Sequence, residues 1–160
     1  MFVSMNWIKE YVDFGDQDVV SLIKRFTLST AEVEDIYYKG QDVQGVIVAE
    51  INSVEPHPNS KKLHLLKVNT GKEVVDVVCG APNVAVGQRV AFAPVGSHVV
   101  GMEIGAAQVA GYTSYGMCCG EDELGISDDH SGLMAIDVDC PLGTDIKSIY
   151  DIDDIIFEVD

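Results

Sequence analysis

Three segments of the sequence decide the fold: HPNSKKLHLLKV (57–68), VVCGAPNVAVGQRVAFAPVG (77–96) and TSYGMCCGEDELGISDDHSG (113–132). They are short apolar stretches separated by glycine, proline and asparagine turns, and no periodic helix of useful length lies between them. Short strands with turns of this kind are typical of a small closed β-barrel. The region from 57 to 132 therefore predicts a mainly β domain.

Alternating and β-branched residues define the strands of this barrel. Five strands are predicted, over 46–54, 63–68, 73–79, 89–95 and 99–109, the last of them punctuated by glycines. Five strands of this length predict an OB-type barrel, whose strands and loops commonly bind single-stranded or looped nucleic acid. Composition alone does not separate this barrel from other small barrels.

Two amphipathic helices are predicted near the N-terminus, each with a stripe that we expect to be buried. The stripes are Trp7, Ile8, Tyr11 and Val12 after a cap at Ser4, and Val19, Leu22, Ile23 and Phe26 after a cap at Asp16.

Strands are predicted on both sides of the barrel, over 32–38 and 155–159. Helices and a strand at one end and a lone strand at the other predict one small α+β domain whose halves meet in space. We therefore expect a split domain, 1–39 with 150–160, interrupted by a barrel domain at 40–149. Because no stop signal follows the last strand, we also expect the chain to be a fragment of a longer protein.

The charge of the chain argues against a strong, general nucleic-acid binder. Ten Lys and Arg face 26 Asp and Glu, a net charge of −16. The barrel segment is nearly neutral, since residues 51–120 hold five basic and four acidic side chains, whereas residues 121–160 hold one and thirteen. A neutral surface binds RNA weakly, and no dense basic stripe is present.

Cysteine usage and hydropathy predict a cytoplasmic protein with reduced thiols. Cys79, Cys118, Cys119 and Cys140 lack the spacing of a disulfide framework. No apolar run approaches the roughly 20 residues that cross a bilayer, and no secretion signal opens the chain. We therefore predict no membrane partner.

No motif of the sequence supports catalysis or a metal site. The chain has no phosphate-binding loop, no nucleophile elbow and no supported Cys–His arrangement, so we predict no catalytic site of its own. His130 with Asp128, Asp129 and the adjacent cysteines raises the hypothesis of a metal site, because these side chains are common metal ligands. A structural zinc site needs paired ligands such as C-x₂₋₄-C, which are missing. We therefore predict no metal.

The order and spacing of many short motifs resemble one family over essentially the whole chain. The sequence is similar to the N-terminal region of the bacterial phenylalanine–tRNA ligase β subunit. The motifs are VSMNWIKEYVDF (3–14), HPN-x-x-KL (57–63), VCGAPNV (78–84), VGSHVVG (95–101), S-x-GM (114–117), ELG (123–125), DHSG (129–132), PLGTD (141–145) and DDIIFEVD (153–160).

This resemblance implies a tRNA-binding OB-fold inserted into a small α+β domain, which contributes to tRNA binding while tRNA is charged with phenylalanine. It implies tRNA, the ligase α subunit and the rest of the β subunit as partners. ATP and magnesium are implied for the parent enzyme, and no cofactor for this chain. One departure stands out, because residues 103–113 (EIGAAQVAGYT) carry no basic side chain where the family is rich in lysine and arginine. Lys61 also replaces an acidic residue that is usual in the family.

Eight residues are candidate tRNA contacts. Phosphates are expected to meet Lys61, Lys62, Lys67 and Arg89, and exposed bases to meet Asn59, Asn83, Ser114 and Met117. Seven of the eight have a simpler alternative: a solvated barrel surface for the cations, turn formation for the asparagines, and core packing for Met117.

Three functions compete for this chain. The first is a tRNA-binding module whose weak contact is tethered to stronger ones and so raises the overall affinity. The second is a structural or protein-interaction module, favoured by the missing basic residues and by the acidic segment after residue 120. The third is a metal or redox module built on the cysteines. Titration with tRNA at low and physiological salt separates the first two.

Overall fold

The computed structural model describes residues 1–11, 13–29 and 33–159, with side chains described for all of these except 26–29. In chain order the elements are β1 (Phe2–Ser4), α1 (Met5–Lys9), α2 (Val19–Ser29), β2 (Val33–Lys39), β3 (Ile47–Pro56), β4 (His64–Asn69), β5 (Val74–Cys79), β6 (Arg89–Ala93), β7 (His98–Val99), β8 (Met102–Glu103), β9 (Ala107–Val109), β10 (Tyr112–Ser114), β11 (Met117–Cys119), a 3₁₀ turn (Ile146–Ser148) and β12 (Asp154–Val159).

The chain divides into two compact units. The flanking unit comprises Met1–Gln41 together with the residues from Asp153 onward, and the barrel unit is Asp42–Ile152. Ile152 is almost fully buried in the core of the barrel unit. The division after Ile152 therefore lies three residues later than the boundary expected from the sequence.

The flanking unit contains a three-stranded antiparallel sheet with the order β1–β12–β2. Its central strand is the last one, in which Phe157 lies opposite Val3 on one side and Ile36 on the other. The strand predicted over 155–159 is confirmed as β12. That predicted over 32–38 is found as β2, although Glu32 lies outside the described residues.

The first helix is shorter than its apolar stripe predicts. The cap at Ser4 is confirmed, because its hydroxyl accepts a hydrogen bond of 3.2 Å from the amide of Trp7. The predicted burial of Trp7 and Tyr11 is wrong, since their side chains are 59% and 74% exposed. The helix ends at Lys9, so these two rings pack edge-on against each other outside the core. Val12 lies outside the described residues.

The second helix begins later than expected, and its cap is Asp18 rather than Asp16. The Asp18 carboxylate accepts hydrogen bonds from the amide and hydroxyl of Ser21, at 3.2 and 3.0 Å, and these bonds lower the pKa of Asp18. Val19 and Ile23 pack in the core of this unit as predicted. The side chain of Phe26 lies outside the described residues.

The barrel unit contains a five-stranded antiparallel sheet with the order β11–β6–β3–β4–β5. Four of the predicted strands are confirmed as β3, β4, β5 and β6. Both faces of β6 are buried: Phe92 packs with Ile51 in one core cluster, whereas Ala91 and Ala93 face a second cluster. A bulge in β3 between Ile51 and Ser53 curls the sheet. A mainly β protein with an OB-like barrel is therefore confirmed.

The prediction for the fifth strand is wrong. Residues 99–109 form no single strand but contribute to two short hairpins, β7–β8 and β9–β10, because Gly101 reverses the chain with φ of +76°. The fifth barrel strand is β11, in which Cys118 lies opposite Phe92 of β6. Three residues are too few to show an alternating pattern in the sequence.

Candidate nucleic-acid interface

A groove of about 390 Å³ lies on the outward face of β3, β4 and β5. The β9–β10 hairpin and the turn that follows it form one wall of this groove. Along β4 the outward side chains are Leu65 and Lys67, since Leu66 and Val68 between and beyond them are buried inside the barrel. Oligonucleotide-binding barrels use the face of their second and third strands, here β4 and β5, together with adjoining loops.

Hydrogen bonds fix the hairpin wall to the edge strand β5. The amide of Tyr115 donates to the carbonyl of Asp76 at 2.8 Å, and the amide of Val78 donates to the hydroxyl of Ser114 at 3.0 Å. That hydroxyl in turn donates to the carbonyl of Gly116 at 2.9 Å. Ser114 is thus buried with its hydroxyl in use, and its position holds the wall of the groove.

The loop of residues 57–63 touches the same hairpin. The buried ring of His57 packs edge-on against Tyr112, with 4.9 Å between the ring centroids. The Nδ1 atom of His57 accepts a hydrogen bond of 3.0 Å from the amide of Asn59, and the Asn59 side chain donates to the carbonyl of Ala110 at 3.3 Å. These contacts bring the exposed Asn59 to the hairpin that walls the groove.

The four candidate cations have different surroundings. Lys61 and Lys62 are exposed in the loop 57–63 and form no ion pair with a described residue. Lys67 lies in the groove and pairs with Asp76; both side chains are more than half exposed, so the pair contributes at most about 1 kcal/mol. Arg89 does not line the groove: its guanidinium donates to the carbonyl of Cys140 and lies 3.9 Å from a carboxylate oxygen of Glu50.

Two further candidates lie outside the groove lining. The side-chain amide of Asn83 binds both backbone groups of Leu133, donating to its carbonyl at 3.0 Å and accepting from its amide at 2.8 Å. Met117 packs its partly buried side chain against a core cluster. The structure therefore gathers four of the eight candidates in the groove or its adjoining loop, and their contact with tRNA stays a prediction. Those four are Asn59, Lys61, Lys62 and Lys67.

Sequence reasoning missed two residues of the groove, Tyr112 and Tyr115. Their side chains are 40% and 46% exposed, and both line the groove. Exposed aromatic side chains are the usual stacking partners of unpaired bases. The available signal was a pair of tyrosines in a short glycine-bounded stretch, GYTSYG (111–116), which lacks the length of a core strand.

Two of the four cysteines, Cys79 and Cys118, line a second cavity, of about 400 Å³, but the thiols do not form a reactive site. Burial raises the pKa of Cys119 to about 12, and burial also raises the pKa values of Cys79 and Cys118. Protonated thiols are poor nucleophiles and poor metal ligands. Within residues 1–11, 13–29 and 33–159, no group of three or more His, Cys, Asp or Glu side chains is placed to hold a metal ion.

The electrostatics of the barrel unit do not attract phosphate strongly. This unit holds six Lys and Arg against fifteen Asp and Glu, a formal charge of −9. Within the groove, Lys67 faces two carboxylates, those of Glu55 and Asp76. A ligand of this groove must therefore gain much of its affinity from contacts other than phosphate neutralisation.

Comparisons with known proteins identify the family of the chain. The profile of the family described as "Putative tRNA binding domain" matches residues 46–145. The chain is also similar to phenylalanine–tRNA ligase β subunits: 39% identical over the whole chain to that of Hahella chejuensis, 38% over 99% of the chain to that of Syntrophus aciditrophicus, and 40% over 99% to that of Aromatoleum aromaticum. It spans about a fifth of the length of each of these relatives.

One solved structure also aligns with the chain. The crystal structure of a MetRS related protein from Pyrococcus horikoshii aligns with a TM-score of 0.47 and 19% identity, covering 82% of this chain and 97% of that one.

In the part of the chain that the structure describes, no helix has the length and apolar character needed to cross a membrane.

Proposed function

Since the chain belongs to the family described as "Putative tRNA binding domain", we propose that its barrel unit binds tRNA through the groove on β3–β5. The observation that carries this proposal is the position of the groove. It lies on the face that oligonucleotide-binding barrels use, between the loop 57–63 and the β9–β10 hairpin, and it exposes two tyrosines. Lys61 and Lys62 lie in the adjoining loop and are available for phosphates.

We propose that this contact is weak and serves a larger assembly. Few cations are free at the groove, so the module adds a tethered second contact to a stronger one made elsewhere. By similarity to phenylalanine–tRNA ligase β subunits, that assembly is a cytoplasmic ligase with an α subunit and further β-subunit domains. ATP and magnesium would act in those other parts, and no step of that chemistry is assigned to this chain, whose described residues offer no metal-ligand cluster.

Titration of the 160-residue chain with fluorescently labelled tRNA tests the proposal. Binding is expected at about 50 mM salt and should weaken at about 200 mM, because counterions are released from the phosphates. The double variant Lys61→Glu, Lys62→Glu should bind at least about tenfold more weakly at low salt, because attraction becomes repulsion at both positions. The charge-matched control Lys9→Glu, Lys24→Glu changes two exposed lysines of the flanking unit and should bind like the parent chain.

The alternative function is a structural or protein-interaction module with little direct RNA contact. The observation in its favour is that two of the four candidate cations are already engaged, Lys67 with Asp76 and Arg89 with Cys140 and Glu50. The same titration decides between the two functions. Absence of binding even at about 50 mM salt would support the alternative and refute tRNA binding.

A further inference from the structure

The aromatic residues of the barrel unit are distributed unevenly. The unit contains four of them, Phe92, Tyr112, Tyr115 and Tyr150, and the structure describes every residue of this unit. Phe92 is fully buried, and Tyr150 packs partly buried against the core. Only Tyr112 and Tyr115 are exposed, and both line the same groove. An aromatic ring gains little by exposure to water, so this placement indicates a ligand with a flat apolar face.

The backbone at Tyr115 and the ring of Tyr112 are held by contacts that exist without a ligand. The backbone on either side of Tyr115 is fixed to β5, through its own amide to Asp76 and through the Ser114 hydroxyl to Val78. Tyr112 is supported by the edge of the buried His57 ring and by pairing of its strand with β9. The supported ring of Tyr112 and the fixed backbone of Tyr115 lose little conformational freedom on binding, which lowers the entropic cost of stacking.

The floor of the groove suits a base better than a phosphate. The partly buried side chains of Leu65 on β4 and Val78 on β5 line the groove with the tyrosines and provide apolar surface. The one ammonium group in the groove, that of Lys67, is paired with Asp76. The unpaired lysines Lys61 and Lys62 lie in the adjoining loop instead. A nucleotide therefore fits with its base in the groove and its phosphates toward that loop.

We propose that the groove takes unpaired nucleobases stacked on Tyr112 and Tyr115, so that the module binds a single-stranded segment of tRNA rather than its paired stems. This inference rests on the proposed function and names its substrate class. In a duplex both faces of each base are covered by the neighbouring bases, so a stem offers no free face to these rings. Stacking tolerates any base, so the groove carries little sequence preference.

Competition experiments with labelled tRNA bound to the 160-residue chain test this inference. The competitors are an unstructured single-stranded RNA, the same strand annealed to its complement, and an abasic strand of equal length. We expect the single strand to compete at least about tenfold better than either the duplex or the abasic strand. The abasic strand keeps every phosphate, so it separates stacking from charge without any change to the protein.

Substitutions of Tyr115 provide the second test of this inference. Tyr115→Leu should weaken single-strand binding about tenfold, whereas Tyr115→Phe, which keeps the ring, should bind within about twofold of the parent chain. Tyr38→Leu is the matched control, since Tyr38 is 51% exposed on β2 of the flanking unit. Equal competition by duplex, abasic and single strands, with tRNA binding intact, would overturn the inference and leave the proposed function standing. Absence of tRNA binding by the parent chain would instead overturn the proposed function.

Discussion

Asn83→Ala should destabilise the barrel unit, because the Asn83 amide is committed to the backbone of Leu133. It donates to the Leu133 carbonyl at 3.0 Å and accepts from the Leu133 amide at 2.8 Å. Each bond contributes about 0.5–1.5 kcal/mol, and the partners left unsatisfied add to the loss. We therefore expect the free energy of unfolding to fall by about 2–3 kcal/mol, which lowers the midpoint of thermal unfolding by roughly 4–12 °C.

Asn59→Ala is the matched control for this substitution. Both asparagines follow a proline in the sequence and both are candidate base contacts, but Asn59 makes a single side-chain bond, of 3.3 Å, to Ala110 at an exposed site. Its loss should cost less than about 1 kcal/mol. Unfolding should be followed by far-UV circular dichroism, because Trp7, the one tryptophan, reports on the flanking unit.

Binding of tRNA well below the unfolding midpoint completes the test. Asn83→Ala should retain the affinity of the parent chain, since Asn83 does not line the groove. A free energy of unfolding within about 0.5 kcal/mol of that of the parent chain would contradict this structural role of Asn83. Loss of tRNA binding with stability kept would also contradict it, because Asn83 would then act on the RNA.

Three further predictions concern charge, backbone and thiols. The slope of log affinity against log salt concentration should be about −1.4, the value for two phosphate contacts with a single strand. A slope near −2.8 would show that all four candidate cations contact phosphates. Gly116→Ala should lower the free energy of unfolding in urea by about 2–4 kcal/mol, because the added Cβ would lie 2.4 Å from Cζ of Phe92 at φ of +131°. The control Gly101→Ala, with φ of +76° and no atom within 4 Å of the added Cβ, should lower it by about 1 kcal/mol. Burial raises the pKa of Cys119 to about 12 in the folded chain from an ordinary value of 9.0, so the unfolded chain loses this proton first and stability should fall as pH rises above about 9. The midpoint of urea unfolding should fall less steeply with pH in Cys119→Ala.

Strand patterns predicted much of the barrel because alternation is a local signal. In β4, Leu66 and Val68 face the interior while Lys67 faces outward, as their spacing of two residues indicates. The fifth strand was not predictable in this way. It is three residues long, and its place beside β6 depends on Gly116, where any Cβ would collide with Phe92.

The candidate site was predictable only in part, because several polar residues make contacts with residues far away in the sequence. Asn83 and Leu133 are fifty positions apart, and no local pattern announces their pairing. A Cβ on Gly132 would lie 2.4 Å from the Asn83 side-chain oxygen, so the motifs around 83 and 132 meet at this contact. Short motifs marked these positions correctly but did not reveal that their role is to hold the fold.

The same distinction bears on how a barrel with few basic residues can belong to a tRNA-binding family. Four residues of the recognised motifs either fix a loop by hydrogen bonds or permit close packing: Ser114, Gly116, Asn83 and Gly132. The motifs therefore specify the scaffold that shapes the groove, whereas its charge is set elsewhere, in segments such as 103–113 that hold no basic residue. We therefore expect the missing phosphate contacts to lower affinity and salt dependence while the proposed stacking surface stays in place, because stacking needs only the scaffold and two exposed rings.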